Sequence, residues 1–249
     1  MATREEMSRS FGAATDAYET GRPEYPAEAV EWMLQPTRTE GHRVRVADVG
    51  AGTGKLTRAL VEADAEVVAV EPDAAMLEAL RAAVPGVPTL AGTGEALPLP
   101  DAALDAVVFG QAWHWVDPVA ASAEVARVLR PAGVLGLVWN IRDESVEWVA
   151  AMTRIMHGSN AEVMLAEGGP TVASPFGALE SHSWRWARSM SRADLFDMAH
   201  SRSYVITADD TERARIDREL GEVFDGIGAV GDAVVELPYV TTAFRALRP

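Results

Sequence analysis

Val44-Arg-Val-Ala-Asp48-Val49-Gly50-Ala51-Gly52-Thr-Gly54-Lys55-Leu56 is the stretch on which the fold turns. Val44 to Val49 is a short β-type run. It breaks at once into Gly50, Gly52 and Gly54, and Leu56 to Ala63 then carries helical spacing. A strand that enters a glycine turn and leaves as a helix opens a βαβ unit. Glycines there let the backbone turn tightly and approach a ligand with no Cβ in the way.

The same alternation continues downstream. Ala65 to Val70 is a second strand ending at Glu71, and Asp73 is an N-cap for a helix over Ala74–Val84 with Met76, Leu77 and Leu80 inward. Val87–Ala91 reads as a short third strand and Leu104–Gly110 as a fourth. Asp117-Pro118 supplies an N-cap and a first-turn proline for a helix through Arg130. Pro131-Ala132-Gly133 is expected to stop that helix and turn into Val134–Trp139, the most hydrophobic strand. Near-continuously apolar strands alternating with helices imply a parallel sheet covered on both faces, an α/β doubly wound fold.

The second half is less regular. Ser145 is expected to cap a helix through Met156, and Gly158–Phe176, rich in Gly, Pro and Ser, reads as a loop or mobile lid. Ser181–Met190 is a strand candidate, and Ser191 with Asp194 forms the start of a capping box. Asp210–Phe224 is helical, with Ile216, Leu220, Val223 and Phe224 towards the core, and Val234–Ala246 closes a sheet of seven strands. The expected organisation is an N-terminal helical cap over residues 1–40, a ligand-binding core over 41–144, and a lid with closing strands of the same domain over 145–249.

Composition narrows the function. The 249 residues carry 22 Lys+Arg against 37 Asp+Glu, a formal charge of −15, and no cysteine. A thiolate zinc site, a Cys nucleophile and Cys-ligated iron–sulfur chemistry are excluded. The negative charge opposes a general grip on nucleic acid. No apolar run approaches the roughly 20 residues of a membrane span, and MATREEMSRSFG has no signal-peptide core. The expectation is a cytoplasmic protein with neither membrane nor nucleic-acid partner, monomeric or homodimeric.

Lys55 stands where the dinucleotide fingerprint G-x-G-x-x-G requires its third glycine, and no Gly-Lys-Ser/Thr follows to make a P-loop. Glu71, roughly 20 residues after the glycines at the end of the next strand, is placed to accept ribose hydroxyls. Glycine turn and carboxylate together indicate an adenosine-like ligand with no pyrophosphate to cradle.

Asp48 to Gly54 resembles motif I of the class I S-adenosylmethionine-dependent methyltransferases, D/E-x-G-x-G-x-G. Gly94-Glu-Ala-Leu97-Pro98-Leu-Pro-Asp101-Ala-Ala-Leu104-Asp105 resembles the adenine-binding turn and fourth strand of that family. Gln111-Ala-Trp113-His114-Trp115-Val-Asp117 and Tyr18-x₃-Arg22-Pro-x-Tyr25-Pro resemble signatures of a small-molecule subgroup of the methyltransferase type 11 kind. The resemblance implies a Rossmann-like sheet, S-adenosylmethionine as cofactor and S-adenosylhomocysteine as product. It makes Gly50, Gly52 and Gly54, with Asp48 and Ala51, the cradle of the methionine part. Glu71, followed by Pro72, becomes the ribose acceptor, Met76 an adenine-face contact, Gly94 and Glu95 the border of the adenine edge, and Gln111 the approach to the methionine end. Where many relatives carry an acid for the adenine amino group, this chain has Thr93, a weaker acceptor. Tyr18 and Arg22 would reach the cofactor from the N-terminal cap.

His114 is the candidate catalytic group. It lies just past the fourth strand, at the carboxyl edge where doubly wound sheets bind ligands, and is either a base or a positioning group. Tyr25, Trp113, Trp115 and Arg142 are substrate candidates. Asp143 and Glu144 read as solvated charges, so no metal is expected. The reading these features favour is methyl transfer to a small-molecule acceptor, with oxygen of a carboxylate or hydroxyl expected. A methyltransferase acting on a protein or RNA, and a non-catalytic S-adenosylmethionine-binding regulatory module, are the alternatives.

Overall fold

The computed structural model describes residues 23–249. Helix α1 (Ala27–Leu34) precedes strand β1 (Arg45–Val49). Helix α2 (Lys55–Glu62), β2 (Glu66–Val70), α3 (Ala74–Ala83), β3 (Thr89–Leu90) and β4 (Leu104–Gly110) follow in the expected alternation. Then come α4 (Pro118–Val128), β5 (Leu129–Arg142), α5 (Glu147–Met156), α6 (Asn160–Ala166), β6 (Glu180–Ser191), α7 (Arg192–His200), α8 (Ser203–Thr207), α9 (Asp210–Gly226) and β7 (Val234–Leu247). The strands form one seven-stranded sheet in the order β3-β2-β1-β4-β5-β7-β6. β3, β2, β1, β4 and β5 run parallel to one another. The Ala132 and Gly133 backbone bonds to Arg248, and Asp143 bonds to Pro238, so β7 runs against β5. The α/β, mostly parallel, Rossmann-like fold is thus present with its seven strands.

The chain divides into two compact units, and the division falls within β5, β6 and β7. One comprises Glu24–Trp139, Met164–Trp184 and Thr241–Pro249. Its core places Val46, Val67, Val108, Val134 and Val138 from the sheet against Val30, Met33, Leu56 and Leu60 from α1 and α2. The second contains Asn140–Val163 and Arg185–Val240. It has its own core, built from Val149, Met152, Met156, Met190, Leu195, Met198, Ile216, Leu220, Phe224 and Tyr239.

Local chemistry sets several helix starts. Asp73 Oδ1 accepts from the amides of Ala75 and Met76, and Asp117 Oδ1 from those of Val119 and Ala120, with Pro118 in the first turn. Ser191 and Asp194 make both halves of a capping box.

Three expectations change. Pro131-Ala132-Gly133 lies inside β5 rather than before it: α4 ends at Val128, and Leu129 already pairs with Leu104. The register shift that follows, with Ala132 at φ 61°, is a bulge, where a strand tolerates proline. Ser145 does not cap α5; its hydroxyl bonds Asp143 Oδ1 at 2.6 Å and Val146 takes the cap position. The stretch 158–176 holds the short helix α6, whose first turn is bound to Ser159.

Candidate active site

β1 and β2 deliver the two central carboxylates to the parallel edge of the sheet. Asp48 is 1% exposed; its Oδ2 accepts from Thr57 Oγ1 at 2.6 Å, while Oδ1 is buried with no hydrogen-bond partner. Burial pushes its pKa up to about 7 against the pull of the Thr57 hydroxyl, and the Glu71 charge adds to the rise. Glu71 is 8% exposed, with Oε2 accepting from Gly52 N and Oε1 from Asp73 N, both at 3.0 Å. Burial raises its pKa too, although those two amides oppose the shift.

Between these acids the chain turns through Gly50, Gly52 and Gly54, all at positive φ. A Cβ on Gly50 would meet the Ala112 Cβ at 2.6 Å, and one on Gly54 the Leu80 side chain at 2.9 Å. A Cβ on Gly52, by contrast, would point into open space. The turn is therefore closed on its flanks and open at its crest, the shape of a cradle. Ala51 is buried beneath it, against Ala69 and Leu80.

Met76 is buried in the first turn of α3, and Pro72 is exposed just before it. Thr93 and Ala96 form an isolated bridge, so Thr93 sits in a tight exposed turn. Gly94 is buried against Phe109 and Val116, and Glu95 Oε1 accepts from Asp117 N at 2.9 Å, holding this turn to the start of α4.

Gln111 follows β4 in the left-handed region, at φ 52°, with its amide bonded to Val138 O at 2.8 Å. Such a conformation costs a non-glycine residue roughly 1–2 kcal/mol and concentrates at functional sites. The Tyr25 hydroxyl stands over Gly110, where a Cβ would come within 2.8 Å of it.

Trp113, His114 and Trp115 form a single 3₁₀ turn, not an extended segment. Trp113 is buried edge-on to Phe109, with its Nε1 donating to Thr171 O at 2.9 Å, while Trp115 remains half-buried beside His114. Trp139 Nε1 donates to His114 Nδ1 at 3.4 Å. That residue of β5 escaped the sequence reading because the pairing depends on β4–β5 register, which no local pattern encodes.

Arg142 lies in the second unit, 2% exposed, and is tied to Glu162. Asp143 accepts from Ser145 and Arg185. Tyr18 and Arg22 fall outside the described residues. Among the described residues there is no group of three or more side chains that could hold a metal, and no helix is long and apolar enough to cross a membrane.

The residues fit the expected cofactor. A glycine cradle open at its crest, a buried carboxylate oxygen that needs a donor, and a second carboxylate at the end of β2 suit a ligand with cationic and hydroxylated ends.

Comparison with known proteins agrees. The methyltransferase domain family matches residues 47–137. An uncharacterized methyltransferase of Mycobacterium tuberculosis is 44% identical over 250 residues, covering 98% of both chains. A malonyl-[acyl-carrier protein] O-methyltransferase of Methylococcus capsulatus is 38% identical over 133 residues, covering 51% of this chain and 48% of that one. A solved structure described as a type II methyltransferase, from Anaeromyxobacter dehalogenans, superposes with a TM-score of 0.70 at 25% identity, covering 91% and 98%.

Proposed function

This chain belongs to the class I S-adenosylmethionine-dependent methyltransferases, and on that footing we propose that it methylates an oxygen of a small-molecule acceptor, a carboxylate before a hydroxyl. The observation that carries the choice is the contact between Trp139 and His114. An indole N–H only donates, so His114 Nδ1 acts as the acceptor, and the neutral ring then carries its proton on Nε2. A ring in that state has its basic nitrogen engaged by the indole and is a poor base. It can orient an oxygen that is already anionic, but cannot readily take a proton from a hydroxyl. The malonyl-[acyl-carrier protein] O-methyltransferase among its relatives is named for an oxygen acceptor, in keeping with this reading.

S-adenosylmethionine, when bound, supplies a sulfonium methyl group for in-line displacement. The chain supplies orientation. In this reading the crest at Gly52 leaves the backbone free to approach the methionine part, flanked by Gly50, Ala51 and Gly54. Glu71 accepts the ribose: each of its oxygens accepts one amide and retains a lone pair. Asp48 answers the cationic end with its unpartnered Oδ1. Met76, Pro72, Thr93, Gly94 and Glu95 bound the adenine, and Gln111 the methionine end. Trp113, Trp115 and Tyr25 wall the acceptor, and Tyr18 and Arg22 are proposed to complete the cofactor contacts. The charge of −15 favours a small-molecule partner over nucleic acid.

The test begins with calorimetric titration of S-adenosylmethionine, S-adenosylhomocysteine and NAD. Turnover of a panel of carboxylic acids with methyl-labelled cofactor follows. Binding of the first two ligands only, and label released as methanol by mild base, is the expected result. Base-stable label would move the acceptor from carboxylate to hydroxyl, nitrogen or carbon.

A further inference from the structure

The far end of β5 holds chemistry that the glycine turn and His114 leave unused. Arg142 Nη2 donates to Glu162 Oε1 at 2.9 Å and to Thr153 Oγ1 at 3.2 Å, and Nη1 meets Met198 Sδ at 3.9 Å. Its Nε is buried with no hydrogen-bond partner. The two side chains are 1% and 10% exposed.

Burying such a pair removes both ions from water at a cost of several kcal/mol each, and well-packed apolar residues often stabilise a fold as well or better. Stability alone is therefore a poor reason for the pair. A guanidinium fork is, however, the best side chain for recognising a carboxylate. Burial works to raise the Glu162 pKa, yet the charges of Arg142 and Arg202 hold it lowered, so two cations act on one anion. Glu162 rides on α6, a helix of seven residues, between His157 at φ 61° and Gly168 at φ 117°. Met198 belongs to a core that also holds Met152, Met156 and Met190, soft side chains that repack around varied apolar shapes.

We propose that Arg142 is a receptor, built within its own unit, for the carboxylate of an acid with an apolar body, and that Glu162 occupies this receptor in the free protein as an internal stand-in. The receptor stands independently of the methyltransferase reading.

Octanoate and octanamide are titrated calorimetrically into the wild type, Glu162→Gln and Arg142→Met, each first titrated with S-adenosylhomocysteine and checked by thermal melting. Octanoate is expected to bind Glu162→Gln at least tenfold more tightly than wild type. Octanamide should not match it, and Arg142→Met should lose octanoate while keeping the nucleoside. Octanoate binding no tighter to Glu162→Gln than to wild type, or matched by octanamide, overturns the proposal. If Glu162→Gln does not fold, the wild type decides: it must prefer octanoate to octanamide and lose that preference in Arg142→Met, and equal affinities overturn the idea. Failure of S-adenosylhomocysteine to bind any of the three proteins counts against the cofactor site, and the octanoate arm still decides the Arg142 receptor.

Discussion

The amide of Gly52 donates to Glu71 Oε2 at 3.0 Å, closing a separation of 19 residues between the crest of the glycine turn and the end of β2. The bond makes one carboxylate both a brace for the turn and a candidate ligand group. Its second oxygen is fixed by the Asp73 amide at the entrance to α3. The geometry of the cradle is thereby set before any cofactor arrives, which reduces the ordering that binding must do.

Glu71→Ala should therefore weaken S-adenosylhomocysteine by about 10–150-fold, the equivalent of roughly 1.5–3 kcal/mol for hydrogen bonds to a charged group. Calorimetric titration measures it. An unchanged Kd would remove Glu71 from the ribose site.

Asp48 predicts a pH dependence of stability. Its pKa rises from 3.8 to about 7 on folding, so the folded state holds the proton more tightly than the unfolded one. The stabilisation is complete below about 3.8 and is lost as pH climbs through 7. Asp48→Asn, which cannot ionise, should match wild type near pH 4 and melt roughly 5 °C higher or more at pH 8. Parallel melting curves across that range would show that the ionised carboxylate is compensated in the folded protein.

For His114, the Nε2–H assignment gives a kinetic signature. His114→Gln retains an amide N–H donor and should lose less than about tenfold in kcat, with kcat for a carboxylate acceptor flat above neutral pH. A loss of roughly 10²–10⁴ in that variant would mean that the ring works as a base.

Gln111→Gly tests the strained corner after β4. The left-handed backbone favours glycine by about 1 kcal/mol, partly offset by the entropy that glycine loses on folding. The melting temperature should hold or rise by up to about 3 °C, while S-adenosylhomocysteine binds more weakly. A fall in melting temperature would show that the side chain pins the corner.

Legibility in the sequence followed the range of the forces. Asp73, Asp117 and Ser191 act on amides two or three residues away, so their helix starts can be read directly. The glycine turn and Glu71 are legible for the same reason, each marking the end of its own strand. Ser145 has a capping residue's chemistry, but Asp143 is nearer and takes its hydroxyl. Pro131 reads as a break because its missing N–H forbids helix, yet a bulge against β4 absorbs it. The Trp139–His114 and Arg142–Glu162 pairs stay hidden because each depends on tertiary placement of segments 25 and 20 residues apart.

The two hydrophobic cores have no residue in common. A methionine or leucine exchanged in the thioether-rich one changes cavities there and removes no side chain from the valine-lined layers under the glycine turn. Mutational drift can therefore reshape one compartment while purifying selection holds the other still.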